Sequence, residues 1–521
     1  MITLIQPPVY KQVKGLQIQT PNPPLGLAYV AAWLKENKYP YTVIDALGEG
    51  LENIRKHPFR NDLMIQGLEN EEIIAQIPID TKYIGISVLF SFIWPLTKKL
   101  IFDIKVARPD IKIIAGGEHI TAVPEYCLRE GGIDICVLGE GENTLLQLLK
   151  ALDANEDLHS CSGLGIIDRE GKYLETSGVV RELEIDKFPW PDWDSFPIEK
   201  YIDNAQLNGV YRGRSISLLP TRGCPFTCTF CSSPRMYGSK WIFRDPKDIA
   251  DEMQYYQKKY KVTNFDCQDL TAVVNKNKMI ELCKEIINRK MNITWQLPSG
   301  TRSESFDKEL VDYLYRAGLK NLAFAPESGD KEILKQVKKK VDLEKFEDAA
   351  RTCVKRGIVT GVFIVIGFPN DTHESLKKTL KLVRKMAFLG IHDCTVSKFV
   401  PYPGSELFFE LQAEGKITFN NKFFESPIDF YSEQSNSFCK NLSEKELYNW
   451  MLKLFMNFYI LSFLTHPFRT FKICMKALLT RREETRYAKF LTDKVYLRTK
   501  WLYKGFTYQC NKKFRKSKLH L

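Results

Sequence analysis

Residues 216–231 read ISLLPTRGCPFTCTFC, and this stretch decides how the rest of the chain is taken. Ile216 to Leu219 is a short apolar run stopped by Pro220, the mark of a strand end. Directly after it, Cys224, Cys228 and Cys231 stand in a C-x3-C-x2-C loop. Three thiolates so close together can wrap one small cluster, and soft thiolates select iron–sulfur or zinc. No fourth local ligand exists, because Cys267 and Cys394 are single cysteines inside predicted strands. A structural zinc site needs a closed tetrahedral set, and none of the 7 histidines pairs with the loop. Three cysteines on a four-iron cluster leave one iron open, able to bind the amino-acid end of a substrate.

Downstream of the loop, β-branched runs alternate with helical patterns. The predicted strands include NFDCQDL (264–270), ITWQLP (293–298), NLAFAPESG (321–329), VTGVFIVIGFP (359–369) and TVSKFVPYPGS (395–405), with helices between them. Six β/α units in about 190 residues predict an incomplete parallel barrel with its chemistry at the strand C-termini. Upstream, ITLIQ, YTVIDAL, YIGISVLF, IKIIAGG and DICVLGE alternate with helices in the first 150 residues. That is the pattern of a doubly wound parallel sheet, whose ligand crevice lies beyond the strand C-termini. Between residues 160 and 205 the pattern becomes short strands followed by KFPWPDWDSFP, whose prolines block regular ladders and predict a linker. Beyond residue 430 the chain is helical and finally basic.

Composition narrows the function classes. The chain has 521 residues, 44% hydrophobic and 26% charged, which excludes wholesale disorder and fibrous repeats and predicts three or four domains. Net charge is +12, yet residues 451–521 carry 17 basic and 3 acidic residues, leaving residues 1–450 near neutral. Any nucleic-acid or membrane-surface contact is thereby confined to the C-terminal segment. The 13 cysteines are odd in number and mostly scattered, and the opening MITLIQPPVY reads as a strand, so a reduced, cytoplasmic compartment is expected. No apolar run is long enough for a transmembrane helix.

Set after the first strand of a β/α barrel, the cysteine loop resembles that of the radical S-adenosylmethionine (SAM) enzymes, and the likeness extends from residue 216 to about 410. It implies a 4Fe-4S cluster on Cys224, Cys228 and Cys231 that passes one electron to SAM, releasing a 5′-deoxyadenosyl radical that abstracts hydrogen. Phe230 stands where the family packs the adenine, and GVFIVIGFP matches the fifth-strand adenine site. Glu327 and Ser328 match the position used for the SAM ribose and carboxylate; Ser328 also has a plain structural role open to it, at a strand end before a helix. Gln268 and Asp269 close the second strand where relatives carry two acidic residues near the SAM amino group, so Gln268 is a departure.

The first 155 residues resemble the cobalamin-binding domain that precedes the barrel in a large subgroup of these enzymes, through PPLGLAYVAAWL, SVLF, AGGEHITAVPE and LGEGENTL in that order. The implied corrin lies across the C-terminal sheet edge at Ser87, Gly116, Gly117, Gly139, Glu140 and Gly141, with glycines admitting close backbone approach. Other cobalamin domains place a D-x-H-x-x-G signature after the first strand, but residues 6–24 hold no histidine. Asp45, Leu47 and Gly50 imitate the spacing after the second strand, with Leu where the cobalt ligand would be. Cobalt is therefore expected without a histidine below it, and His119 reads as a surface or loop residue.

The expected organisation is α/β: residues 1–155 a doubly wound, Rossmann-like cobalamin-binding domain, 156–205 a linker, 206–430 a partial (β/α)6 radical SAM barrel, and 431–521 a helical, basic extension. The resemblance implies a cobalamin- and SAM-dependent methyltransferase acting on an unactivated carbon of a small or hydrophobic substrate. Cyclisation, oxidation or rearrangement without methyl transfer, as in the anaerobic oxidative cyclase of chlorophyll synthesis, is the alternative. A third class, an RNA-binding or RNA-modifying iron–sulfur protein, is disfavoured: tRNA-thiolating relatives carry three further N-terminal cysteines, and here only Cys127 and Cys136 fall in that domain. An electron donor such as flavodoxin or ferredoxin is implied. Residues 451–464 (MLKLFMNFYILSFL) are too short to span a bilayer. Together with residues 465–521 they read either as a helix pair capping the barrel and lining the substrate cavity, or as a peripheral membrane contact that receives a lipid-like substrate.

Overall fold

The computed structural model describes residues 1–12, 22–433, 435–480 and 483–492. Two compact units emerge, one from residues 1–180 and 188–206, the other from 181–187 and 207–489.

In the first unit, Ile2–Gln6 (β1), Tyr41–Asp45 (β2), Tyr83–Ser87 (β3), Lys112–Gly116 (β4) and Ile135–Val137 (β5) form a parallel sheet in the order β2-β1-β3-β4-β5. These strands are β-branched and buried on both faces, as crossover helices require. Leu25–Glu36 (α1) packs on Gly141–Ala154 (α3), while Trp94–Ala107 (α2) packs on the helix Pro124–Gly131. The order reverses between β1 and β3, which makes that C-terminal edge the ligand crevice of a doubly wound sheet.

The segment expected as a linker is more structured than its prolines suggest. Leu164–Ile167 (β6) and Tyr173–Thr176 (β7) extend the first sheet antiparallel beyond β5. The proline stretch is anchored to the same unit by Asp192, which accepts hydrogen bonds from Lys35 at 2.7 Å and Tyr41 at 2.5 Å, and by buried Trp193. Apolar residues at alternate positions, with Leu164 and Ile166 buried, make pairing to the sheet favourable although the strands are short.

The second unit is a six-stranded parallel sheet in sequential order: Ser215–Leu218 (β8), Asn264–Cys267 (β9), Thr294–Thr301 (β10), Leu319–Glu327 (β11), Val359–Ile366 (β12) and Asp393–Lys398 (β13). The intervening helices are Pro246–Lys259 (α4), Lys276–Asn288 (α5), Lys308–Arg316 (α6), Leu343–Arg356 (α7) and His373–Leu389 (α8). Most start on an Asp, Asn or Thr cap, such as Asp307 accepting from the Leu310 amide. This is the expected partial (β/α)6 barrel. Beyond it, Glu444–Thr465 (α9) packs on α8 and β13, followed by Pro467–Thr480 (α10) and Arg486–Thr492 (α11). Among the described residues no helix is long and apolar enough to cross a membrane. The lysine-rich end singled out in the sequence lies outside the described residues.

Candidate active site

The cysteine loop is held from several sides. Thr221–Arg222 pairs antiparallel with Ile242–Phe243 just before it. Gly223 then turns at φ +82°, where a Cβ would lie 2.2 Å from the Lys240 carbonyl oxygen, so only glycine fits. The Thr229 amide donates to Val337 at 3.1 Å, and the Leu407 amide donates to the Thr229 carbonyl at 2.9 Å. Cys228 is buried, and Cys224 and Cys231 are half-buried. Burial pushes the Cys224 and Cys228 thiols up, while Lys339 and Arg302 pull both back toward the thiolate that iron requires. Among the described residues no three His, Cys, Asp or Glu side chains stand close enough to ligate a single metal ion.

The expected SAM residues gather at the same C-terminal end of the barrel. Asp269 is buried, and burial pushes its carboxyl up to about 7 against hydrogen bonds from Thr221. One of its oxygens accepts from the Thr221 hydroxyl, and the other, Oδ2, has no partner. Gln268 turns back on its own strand, its Nε2 donating to Asp266 Oδ2 at 3.0 Å. Phe230 packs on Phe368 with ring centroids 5.3 Å apart, placing the cysteine loop against the GFP turn after β12. That turn is fixed by Asp371, whose Oδ2 accepts from the Gly367 amide at 2.8 Å and the Phe368 amide at 3.0 Å. Glu327 ends β11 in the left-handed region at φ +65°, and its Oε1 accepts from Lys339 Nζ at 2.9 Å with both side chains buried. Such strain in a non-glycine residue is characteristic of functional sites. The Ser328 hydroxyl lies 3.2 Å from Thr379 Oγ1 and accepts from the Asp330 amide, and the N-cap of the helix that follows is Asp330 and not Ser328.

Arg302 and Lys339 were not anticipated from the sequence. Arg302 follows β10, stacks 3.9 Å above the Phe226 ring, pairs with Glu304, and keeps a buried Nη1 without a partner. Its place at a barrel strand's C-terminal end was the usable signal. Lys339 lies in a run of three lysines that reads as a solvated face.

The opposite end of the barrel is closed by the C-terminal segment: the expected cap forms there, away from the strand ends where the SAM residues gather and not along the substrate side. Asp393, at the start of β13, is buried and pushed up to about 6 by burial; it accepts from the Arg486 and Tyr487 amides and the Tyr459 hydroxyl. Arg486 also donates to the Pro298 carbonyl at 2.7 Å, and Lys489 to Leu207 and Gly209 at 3.1 and 3.0 Å. A cavity of about 30 Å³ remains, lined among others by Gln296, Asn321, Asp393 and Arg486, large enough to hold water.

In the first unit, register aligns the expected corrin residues along one edge. Ser87 pairs with Gly116, and Gly116 with Val137. Gly117 and Gly139 have φ of +109° and +77°, and at Gly117 a Cβ would lie 2.6 Å from the Val88 carbonyl oxygen. Glu140 precedes α3 and Gly141 begins it. After Ser87 the edge exposes apolar Leu89 and Phe90, the latter stacked on Phe92 at 5.3 Å, a surface suited to a corrin face. His119 departs from expectation. It sits buried on the short helix Glu118–Ala122, with Nδ1 3.0 Å from Ser91 Oγ and its ring against Trp94, and burial holds its pKa down at about 3. The mixed run around it hides a core position that periodicity alone did not show.

Both units therefore carry the geometry of known cofactor domains. A B12 binding domain model matches residues 13–149, and a radical SAM superfamily model matches residues 218–383. The chain belongs to the cobalamin-dependent radical SAM enzymes, whose cofactors are a 4Fe-4S cluster, SAM and cobalamin. It is 27% identical over 463 residues to an uncharacterized methyltransferase of Pyrococcus horikoshii, covering 88% of this chain and 92% of that one. It is also 27% identical over 488 residues to the anaerobic magnesium-protoporphyrin IX monomethyl ester cyclase of Rubrivivax gelatinosus, covering 91% and 81%. Its fold resembles that of the radical S-adenosylmethionine methyltransferase TsrM from Kitasatospora setae, with a TM-score of 0.61 and 18% identity over 80% of this chain and 77% of that one.

Proposed function

We propose that the enzyme methylates an unactivated carbon of a small or hydrophobic substrate. The observation that carries the reading is the barrel mouth itself: a three-cysteine loop beside buried, unpartnered Asp269 Oδ2 and Arg302 Nη1, in a chain that also holds a B12-binding domain. Cluster, SAM and corrin, when bound, supply the radical that removes hydrogen and the methyl group that replaces it. Cys224, Cys228 and Cys231 would hold the cluster. Asp269 offers an acceptor to the SAM amino group, with Gln268 beside it, and Arg302 offers its unpaired N–H to the carboxylate. Glu327, fixed by Lys339, would take the ribose, Ser328 shapes the turn behind it, and Phe230 presents a face to the adenine. Ser87, Gly116, Gly117, Gly139, Glu140 and Gly141 would form the backbone edge under the corrin. Reduction of the cluster calls for a donor such as flavodoxin or ferredoxin.

Equal likeness to the cyclase favours a second reading, ring closure or oxidation without methyl transfer. One experiment separates the two. Anaerobically reconstituted protein receives SAM with a trideuterated methyl group, a reductant and a small-molecule extract of the cells that make it. Methyl transfer yields S-adenosylhomocysteine beside 5′-deoxyadenosine and a product carrying the labelled methyl. Formation of 5′-deoxyadenosine and a changed product, with neither S-adenosylhomocysteine nor label in that product, would establish the second reading instead. Ala at Cys224, Cys228 or Cys231 should abolish both cluster absorbance and SAM cleavage, and Cys267→Ala should spare both.

A further inference from the structure

Helix α9 buries Leu447, Met451, Leu454 and Phe458 against the barrel. Its other side is not the polar face that such a helix ordinarily shows to water. Met456, Ile460, Phe463 and Leu464 recur there at helical spacing, each more than half exposed. Pro467 starts α10, and Phe468 and Phe471 carry the apolar surface around the corner, with Phe468 89% exposed. Single exposed apolar residues are ordinary, whereas a contiguous ridge over two successive helices marks an interaction surface.

Charge identifies the occupant. Residues 447–482 contain no Asp or Glu, and Lys453 and Lys472 are exposed on the same two helices. Residues 493–521 add 9 basic residues against 1 acidic. The ridge and the chain beyond it thus share one sign, which sets both the protein's own C-terminal residues and a second copy at an electrostatic disadvantage as covers for it. A negatively charged surface with an apolar interior complements ridge and rim together. We propose that the α9–α10 corner docks the enzyme on an anionic lipid bilayer, lying in the interface without spanning it. Nothing in this depends on which reaction the barrel performs.

Co-sedimentation of the full chain with phosphatidylcholine vesicles, with and without phosphatidylglycerol, tests the proposal. Binding should require phosphatidylglycerol and weaken as salt rises. The triple variant Leu464→Ser, Phe468→Ser, Phe471→Ser should lose about tenfold or more in vesicle affinity. Because the three side chains face solvent, its melting temperature and its SAM cleavage should match those of the unsubstituted protein. Equal sedimentation of variant and unsubstituted protein would overturn the proposal. So would a lipid-free dimer that the variant splits, which would give the ridge to a second copy, or a preference for RNA over vesicles.

Discussion

Lys339→Met should destabilise the second unit far more than a surface lysine change would. Lys339 Nζ lies 2.9 Å from Glu327 Oε1, with side-chain exposures of 8% and 9%. At that separation and an effective dielectric near 20, the attraction is about 6 kcal/mol. Desolvating each ion costs several kcal/mol, so the pair itself is close to neutral, but stranding one partner costs about 3–5 kcal/mol. Glu327 also adopts φ +65°, which costs a non-glycine residue about 1–2 kcal/mol, so loss of its partner leaves little to hold it there. At about 2–4 °C per kcal/mol, the melting temperature of the cofactor-free protein should fall by about 6 °C or more. Replacing both residues, Glu327→Gln with Lys339→Met, removes the stranded charge and should recover about 2 kcal/mol relative to Lys339→Met alone. Melting of Lys339→Met within about a degree of the unsubstituted protein, or strictly additive losses in the double variant, would refute the reasoning.

Buried groups in the first unit give two further expected outcomes. Asp45 is fully buried, and burial pushes its carboxyl up to about 7 although the Gly48 amide and the Tyr201 hydroxyl pull it back. The folded state therefore holds this proton more tightly than the unfolded chain, so the stability it contributes is complete below about pH 4 and lost as pH rises through 7. Asp45→Asn should flatten that part of the melting-temperature slope of the first unit, and an unchanged slope would remove Asp45 as its source. With His119 buried against Ser91 and Trp94, cobalt should have no imidazole below it. If bound cobalamin also leaves its own benzimidazole base off the metal, electron paramagnetic resonance of the cob(II)alamin form should show no axial-nitrogen splitting, and such splitting would exclude a lower face free of both bases.

Much of the site was legible because its signals are local. Three cysteines in one loop, and glycines at strand ends, announce themselves without knowledge of what folds beside them. The parallel sheets of both units followed from the alternation of β-branched runs and helices, since parallel strands require crossovers. What remained hidden depends on distant partners. Lys339 looks like one of three solvated lysines until the turn at Glu327 is set beside it. Arg302 is one more arginine until Phe226, from a loop far upstream, lies under its guanidinium. Ser328 gives no hint in sequence that its hydroxyl meets Thr379, from α8, fifty-one residues further on. Short strands were legible near 164–176, but not that they extend the first sheet, because their pairing depends on a strand edge formed elsewhere.

The closure of the barrel's lower end has a consequence for how the protein is made. Asp393 opens the last barrel strand, yet the amides that satisfy its buried carboxylate belong to residues 93 and 94 positions further along the chain. At about 5–20 residues per second, a ribosome needs roughly 5–20 s to supply them. For that interval all six barrel strands exist while one carboxylate at their base waits for its partners and water still has access from below. The nascent barrel therefore stays open to proteases and chaperones even after its sheet is complete, and a message cut short near codon 480 would yield a chain permanently in that condition.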